Sequence, residues 1–198
     1  LGSPSDFFEN RMAKENNTGP HRGFDHMELA NHFFEGHSHY DVWMADNHPE
    51  LKERFYPMIT EKGQNTVGKG ATQACQVWPM DVPAEFYHTN WVADRTISWL
   101  DSLEDEEDWF CWMSFPDPHH PFTPPGKYWN MYDPADIELP ASFYHQPHDQ
   151  TPILARMHQE LADGCANRDW VRPYAVNEDE ARQITALTYG MIAFIDDS

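Results

Sequence analysis

Hydrophobic and polar positions divide the chain into stretches of different period. From Trp109 to Phe115 the residues are almost all apolar, several of them aromatic, and the run halts at Pro116 and Pro118. A run this short, bounded by prolines, predicts a strand buried on both faces. The prolines end that strand and stiffen the loop after it. Upstream, Val92, Thr96, Trp99, Leu100 and Leu103 form an apolar side that predicts a helix over Asn90–Ser102. Pro79 and Pro83 lead into it and Thr89 is its expected cap. Another helix is predicted over His48–Tyr56, with Pro49 at an early helical position. Near the far end, Ile184, Leu187, Met191, Ile192 and Ile195 share one helical face. Asn177, followed by Glu178, Asp179 and Glu180, gives that helix a cap and the acids that suit the positive end of its dipole.

The segments between these elements are polar. The first third of the chain is rich in histidine, and Asn16-Asn17-Thr18-Gly19-Pro20 predicts a loop there. Phe7, Phe8, Met12, Phe33 and Phe34 suggest short helical pieces around it. Lys62 to Gly70 reads as a loop, and Gly68-Lys69 is followed by Gly70 where a phosphate-binding loop needs Ser or Thr. The acidic run Glu104–Asp108 predicts a solvated connector and lacks the ligand alternation of a calcium loop. Residues Gly126 to Gln150 form a Pro- and Tyr-rich excursion of the kind that shapes access to a site.

Composition narrows the function classes. A chain of 198 residues with 40% hydrophobic and 14% aromatic residues has the makings of a packed core. A net charge of -20 argues against nucleic acid or an anionic membrane as a partner. No apolar run approaches the roughly 18 residues of a membrane span. Cys75, Cys111 and Cys165 are odd in number and show no zinc spacing, which leaves the redox compartment open. Cys111 is expected to be a small core residue within the predicted strand.

Candidate chemistry concentrates at Pro118-His119-His120-Pro121. Ligands of open α/β sheets sit beyond the carboxyl ends of strands. A histidine fixed there by a stiff turn is placed to contact a reacting group. His119 is therefore the candidate catalytic residue. His120 has a structural or substrate-rim role, and Asp117, counted with it as a candidate substrate-binding residue, either orients the His119 imidazole or is simply a turn residue between prolines. His37-Ser38-His39 and His145-Gln146-Pro147-His148 lack the fixed helical spacing of a zinc site and read as structural or surface histidines. His88 is expected at a helix start, in a cap-region role.

The segment Ser114-Phe115-Pro116-Asp117-Pro118-His119-His120-Pro121-Phe122, with Pro124-Pro125-Gly126-Lys127-Tyr128 and Met131 to Pro140 after it, resembles the middle of a sulfatase. Gly23-Phe24-Asp25, Trp91–Leu100 and Thr188–Asp197 resemble other family segments in the same order and rough spacing, so the resemblance spans most of the chain. It implies an α/β fold: a fragment of the alkaline-phosphatase-like sandwich, with a mainly parallel sheet and flanking helices over 1–198. It implies hydrolysis of a small sulfate ester, through a formylglycine nucleophile and a divalent cation, Ca2+ or Mn2+, in the intact parent. The histidine matching His119 contacts the sulfate or its ester oxygen in the family, where charge develops as the S–O bond breaks. The family's Cys-x-Pro-Ser-Arg, paired metal-binding aspartates, Gly-Lys-x-His and Asp-His-Gly or Asp-Asn-Gly motifs do not occur in this sequence. The chain thus reads as an internal segment, expected to bind no metal itself. The alternatives are a phosphonate monoester or phosphodiester hydrolase of the same superfamily, and a non-catalytic acidic binding module.

Overall fold

The computed structural model describes residues 10–32, 38–55, 71–72, 74–106, 108–145, 150–166 and 174–198. Six α-helices have both ends within these residues: α1 (His39–Asn47), α2 (Pro49–Phe55), α3 (His88–Asp101), α4 (Ala141–Tyr144), α5 (Pro152–Ala162) and α6 (Glu178–Asp197). Three short 3-10 turns add Ala84–Phe86, Gly126–Asn130 and Pro134–Asp136. The chain divides into two compact units, the first formed by Leu1–Tyr56, Asp81–Asp117 and Ile195–Ser198, the second by Pro57–Met80 and Pro118–Phe194.

The expected parallel sheet does not form among the described residues. What pairing there is consists of isolated bridges, His21 with Phe24, Val77 with Phe122 and Met80 with Pro125. Residues 109–115 carry no regular secondary structure and belong to no ladder. Nor is this stretch buried on both faces: Trp109 is 57% exposed, Phe110 70%, Trp112 73% and Met113 42%. Cys111 is half-buried, not a core residue. An apolar run is compatible with a strand, but a strand also needs neighbours whose N–H and C=O groups complete its hydrogen bonds. Those neighbours are absent among the described residues, so the α/β reading is replaced by a mainly helical one.

In the first unit the helices form for local reasons. Ser38 is in the extended region and its hydroxyl accepts the Asp41 N–H, which caps α1. The prediction of α2 is met, with Pro49 at its first position. Helix α3 begins two residues earlier than predicted, and its N-cap is Tyr87, not Thr89. Tyr40 and Phe55, from α1 and α2, are fully buried with Tyr87. The Tyr40 hydroxyl donates to the Phe86 carbonyl at 2.7 Å. Phe55 stacks on Tyr87 with centroids 5.2 Å apart. Each such side chain contributes about 1.5–3 kcal/mol by leaving water.

The second unit is organised by α6. Asn177 Oδ1 accepts the Glu180 N–H, and the Glu180 carboxylate accepts the Asn177 N–H, each at 2.9 Å. This reciprocal box satisfies two N-terminal donors at once. The buried face carries Leu187 and Met191 as expected, but Ala186, Gly190 and Phe194 complete it, and Ile192 is 47% exposed. Half of the Pro- and Tyr-rich excursion is structural: Ile137 and Leu139 pack with Ala181 and Ala186 of α6. The loop at Lys62–Gly70 lies outside the described residues.

Gly190 is the tightest point of this packing. A Cβ there would stand 2.4 Å from the Tyr128 carbonyl oxygen and 3.3 Å from Pro124 Cγ. In an exposed helix, Gly→Ala stabilises by roughly 0.5–1 kcal/mol. Here the clash is with backbone, which cannot swing aside, so the sign reverses. Gly190→Ala is expected to destabilise the protein by about 1–3 kcal/mol, seen as a lower urea midpoint. A midpoint equal to or above wild type would refute this packing.

Candidate functional site

The Pro-His-His-Pro turn is seated on the second unit by the residues after it. The Phe122 N–H donates to the Gln76 carbonyl at 2.8 Å. Val77 and Met80 bridge Phe122 and Pro125 in parallel fashion. Pro121, Thr123, Pro124 and Pro125 are buried, whereas Pro118, His119 and His120 are exposed. The buried half holds the turn, and the exposed half presents the histidines. Prolines suit this arrangement because their fixed φ limits the turn's freedom.

His119 Nδ1 lies 2.6 Å from the His120 carbonyl oxygen. A carbonyl only accepts, so Nδ1 carries the proton and the neutral ring has its lone pair at Nε2. Protonated, the same Nε2 becomes a donor. The His120 ring sits 3.9 Å from that of His119. Burial, and then the nearby charge of His119, lower the His120 pKa.

Asp117 falls in the other unit, buried, and its partners come from that unit. The Thr89 hydroxyl donates to Asp117 Oδ2 at 3.0 Å. His88 Nε2 stands 3.6 Å from Asp117 Oδ1, and both side chains are fully buried. These two atoms have no hydrogen-bond partner among the described residues. His32 completes the group. Its Nε2 lies 3.1 Å from the Pro116 carbonyl, and its ring meets that of His88 edge-on at 4.8 Å. Burial pushes the Asp117 carboxyl up to about 7, against the lowering effect of Thr89. It also holds His88 well below the usual histidine range, with the charge of His32 adding to the effect. Both shifts favour neutral forms, as desolvation must.

Sequence reasoning placed His88 in a cap role and did not single out His32. No local spacing links His32, His88 and Asp117, since contacts such as His32–Pro116 span 84 positions. The other candidate histidines divide. His39 is structural: Nδ1 accepts the Leu29 N–H at 3.1 Å and Nε2 donates to the Asn17 carbonyl at 2.9 Å. His37 and His148 lie outside the described residues.

The first unit also holds a groove of about 600 Å³ walled by Trp91, Trp99, Phe110 and Trp112. Arg95 reaches it, but its guanidinium is bound by Glu28 through two contacts of 2.6 and 2.8 Å.

The described residues fit neither the nucleophile nor the Ca2+ that the resemblance implies. Cys75 is buried, with its backbone N–H donating to the Tyr174 hydroxyl at 2.7 Å, and is closed to an ester. The described residues gather one group of three metal-ligating side chains, His32, His88 and Asp117. Two imidazoles and one carboxylate are not the oxygen-rich cage of Ca2+.

The buried pair makes a prediction about stability. Asp117 is held above its unfolded value of 3.8, so its contribution is complete below about pH 4 and is lost as pH rises through about 7. His88 is depressed below 6.5, so its contribution is present above that value and lost as pH falls. The two slopes oppose each other in the native protein. Asp117→Asn removes only the first. In chelator-treated protein, the stability advantage of wild type over Asp117→Asn should shrink between pH 4 and pH 7, by up to roughly 4 kcal/mol. Urea midpoints across that range measure it, and a pH-independent difference would contradict the burial of an ionisable carboxyl.

No family model matches the chain. It is 27% identical over 161 residues to the multifunctional alkaline phosphatase superfamily protein PehA of Trinickia caryophylli, a match covering 80% of this chain and 30% of that protein. It is 33% identical over 69 residues to an arylsulfatase of Clostridium perfringens, covering 33% of this chain and 14% of that enzyme. The chain thus spans less than a third of the length of these curated relatives. Their names place its similarities among alkaline phosphatase superfamily and sulfatase proteins.

Proposed function

We propose that this chain is an internal part of a sulfatase-like hydrolase, in which His119 contacts the ester undergoing cleavage. The observation that supports the reading most is the presentation of His119: exposed, with Nδ1–H engaged at 2.6 Å by the His120 carbonyl, on a turn whose following residues are buried. The tautomer and the anchorage make Nε2 the working nitrogen. When the ester bond to oxygen breaks, negative charge builds on the leaving oxygen. An Nε2–H aimed at that oxygen stabilises the charge, or transfers its proton and leaves the neutral ring. His120, its proton affinity lowered by burial and by its neighbour, stays neutral more readily and suits the substrate rim. The similarity to PehA and to an arylsulfatase supports the same class. The nucleophile and the cation come from polypeptide beyond these residues, and the substrate is a small sulfate ester.

A phosphonate monoester or phosphodiester substrate is the second reading, favoured by the superfamily name of the longer match. The full-length protein separates them, assayed on an aryl sulfate and on a phenyl phosphonate monoester. In that protein His119→Ala should lower turnover of the preferred ester about 100-fold, the scale of one acid or charge-stabilising group. A folded His119→Ala variant with turnover within a few-fold of wild type would remove His119 from the site. Failure of the wild type to release sulfate or phosphonate would overturn the hydrolase reading itself.

A further inference from the structure

We propose that His32, His88 and Asp117 bind one divalent transition-metal ion of the zinc type, at a buried site within the first unit. This goes beyond the hydrolase reading and departs from the expectation that the chain carries no metal ligands. The donor set is two imidazoles and a carboxylate, a combination that zinc accepts as three protein ligands with a fourth position left over. One ligand atom from each residue lies within 4.8 Å of the others. The His88 Nε2 to Asp117 Oδ1 separation of 3.6 Å is already near the roughly 3.4 Å between two donors about 2.1 Å from one tetrahedral ion.

The proton inventory supplies the stronger argument. The single proton of the Thr89 hydroxyl goes to Asp117 Oδ2 at 3.0 Å. Thr89 Oγ1 also faces His88 Nδ1 at 3.4 Å, where it can only accept, so Nδ1 carries the His88 proton. The lone pair of His88 is then at Nε2, directed at Asp117 Oδ1. With the carboxyl ionised, as a metal ligand is, two buried acceptors face each other with no donor between them among the described residues. That arrangement is costly unless a cation bridges it. The third ligand is oriented in the manner metal-bound histidines share. His32 donates its Nε2–H to the Pro116 carbonyl at 3.1 Å, so coordination falls to Nδ1. The Thr89 hydroxyl does the same for the carboxylate. The aromatic rings of Tyr40, Phe55 and Tyr87 lie against His88 at centroid distances of 6.0, 6.1 and 4.0 Å, a dry wrapping that strengthens the ion–ligand attraction. The ion would join three parts of the first unit that are distant in sequence: the segment carrying His32, the start of α3, and the residues just after the apolar stretch 109–115.

The test uses the whole chain, stripped with a chelator and titrated with Co2+ as the spectroscopic probe. One equivalent should bind with the intense visible bands of a low-coordinate site, and Zn2+ should displace it. Proton NMR of the Co2+ form should show two exchangeable, paramagnetically shifted imidazole N–H signals, one from His32 Nε2–H and one from His88 Nδ1–H. Asp117→Asn and His32→Gln, where circular dichroism shows them folded, should weaken Co2+ binding by more than the about 10–100-fold that loss of an outer-shell partner costs. Fewer than two such N–H signals in the wild type, or no stoichiometric band, would overturn the site and leave a shared proton between His88 and Asp117. A folded Asp117→Asn that binds Co2+ as tightly as wild type would also overturn it, by placing the ion among the other histidines. The wild-type NMR decides the matter if the variants do not fold.

Discussion

A carboxyl group taken out of water must find its partners inside the protein, and the first unit is arranged around that demand. Asp117 follows the apolar stretch that begins at 109 and is fully buried at its side chain. Its partners are Thr89 and His88 at the start of α3, while the carbonyl just before it is taken by His32. Three pieces of chain distant in sequence are thereby held at one point. The aromatic residues of α1, α2 and the Tyr87 turn close over that point and keep it dry. Apolar packing alone would tolerate small slips of these pieces, because dispersion is not directional. A buried polar cluster does not tolerate them, since each misplaced donor or acceptor costs about 1–3 kcal/mol.

The exposed aromatic stretch shows the opposite situation. Phe110, Trp112 and Met113 are held open beside the groove, and Phe24 stacks on Phe110 at 6.2 Å. At the far end of the stretch, Asp117 is buried against Thr89 and His88.

The His119 turn works by a division of labour within one short segment. Pro121, Thr123, Pro124 and Pro125 are buried, and Phe122 and Pro125 are bridged, so this half fixes position. Residues 118–120 are exposed, so they can meet a partner. The carbonyl of His120 sets the tautomer of His119, an adjustment made by the immediate neighbour in sequence. The two histidine-bearing regions thus differ in kind. One is a surface presentation of a single imidazole, and the other a buried cluster of two imidazoles and a carboxyl group.

The sequence by itself determined the features that depend on near neighbours. The helix after Asn177 with its acidic start, the helix at Pro49 and most of α3 were legible because caps, dipoles and period act over a few residues. The stiff presentation of His119 was legible for the same reason, since four consecutive residues and their prolines encode it. The face of α6 was legible only in part: Gly190 is buried because Tyr128 approaches it, and no periodicity in hydrophobicity marks a glycine for close contact. The predicted sheet failed because a strand is defined by partners, and an apolar run carries no information about who they are. The buried cluster was invisible for a related reason. His32, His88 and Asp117 each look ordinary in their own surroundings, and Thr89 looks like a cap. Only the tertiary structure, by closing loops of tens of residues and excluding water from where they meet, turned them into one site with its own proton and charge balance.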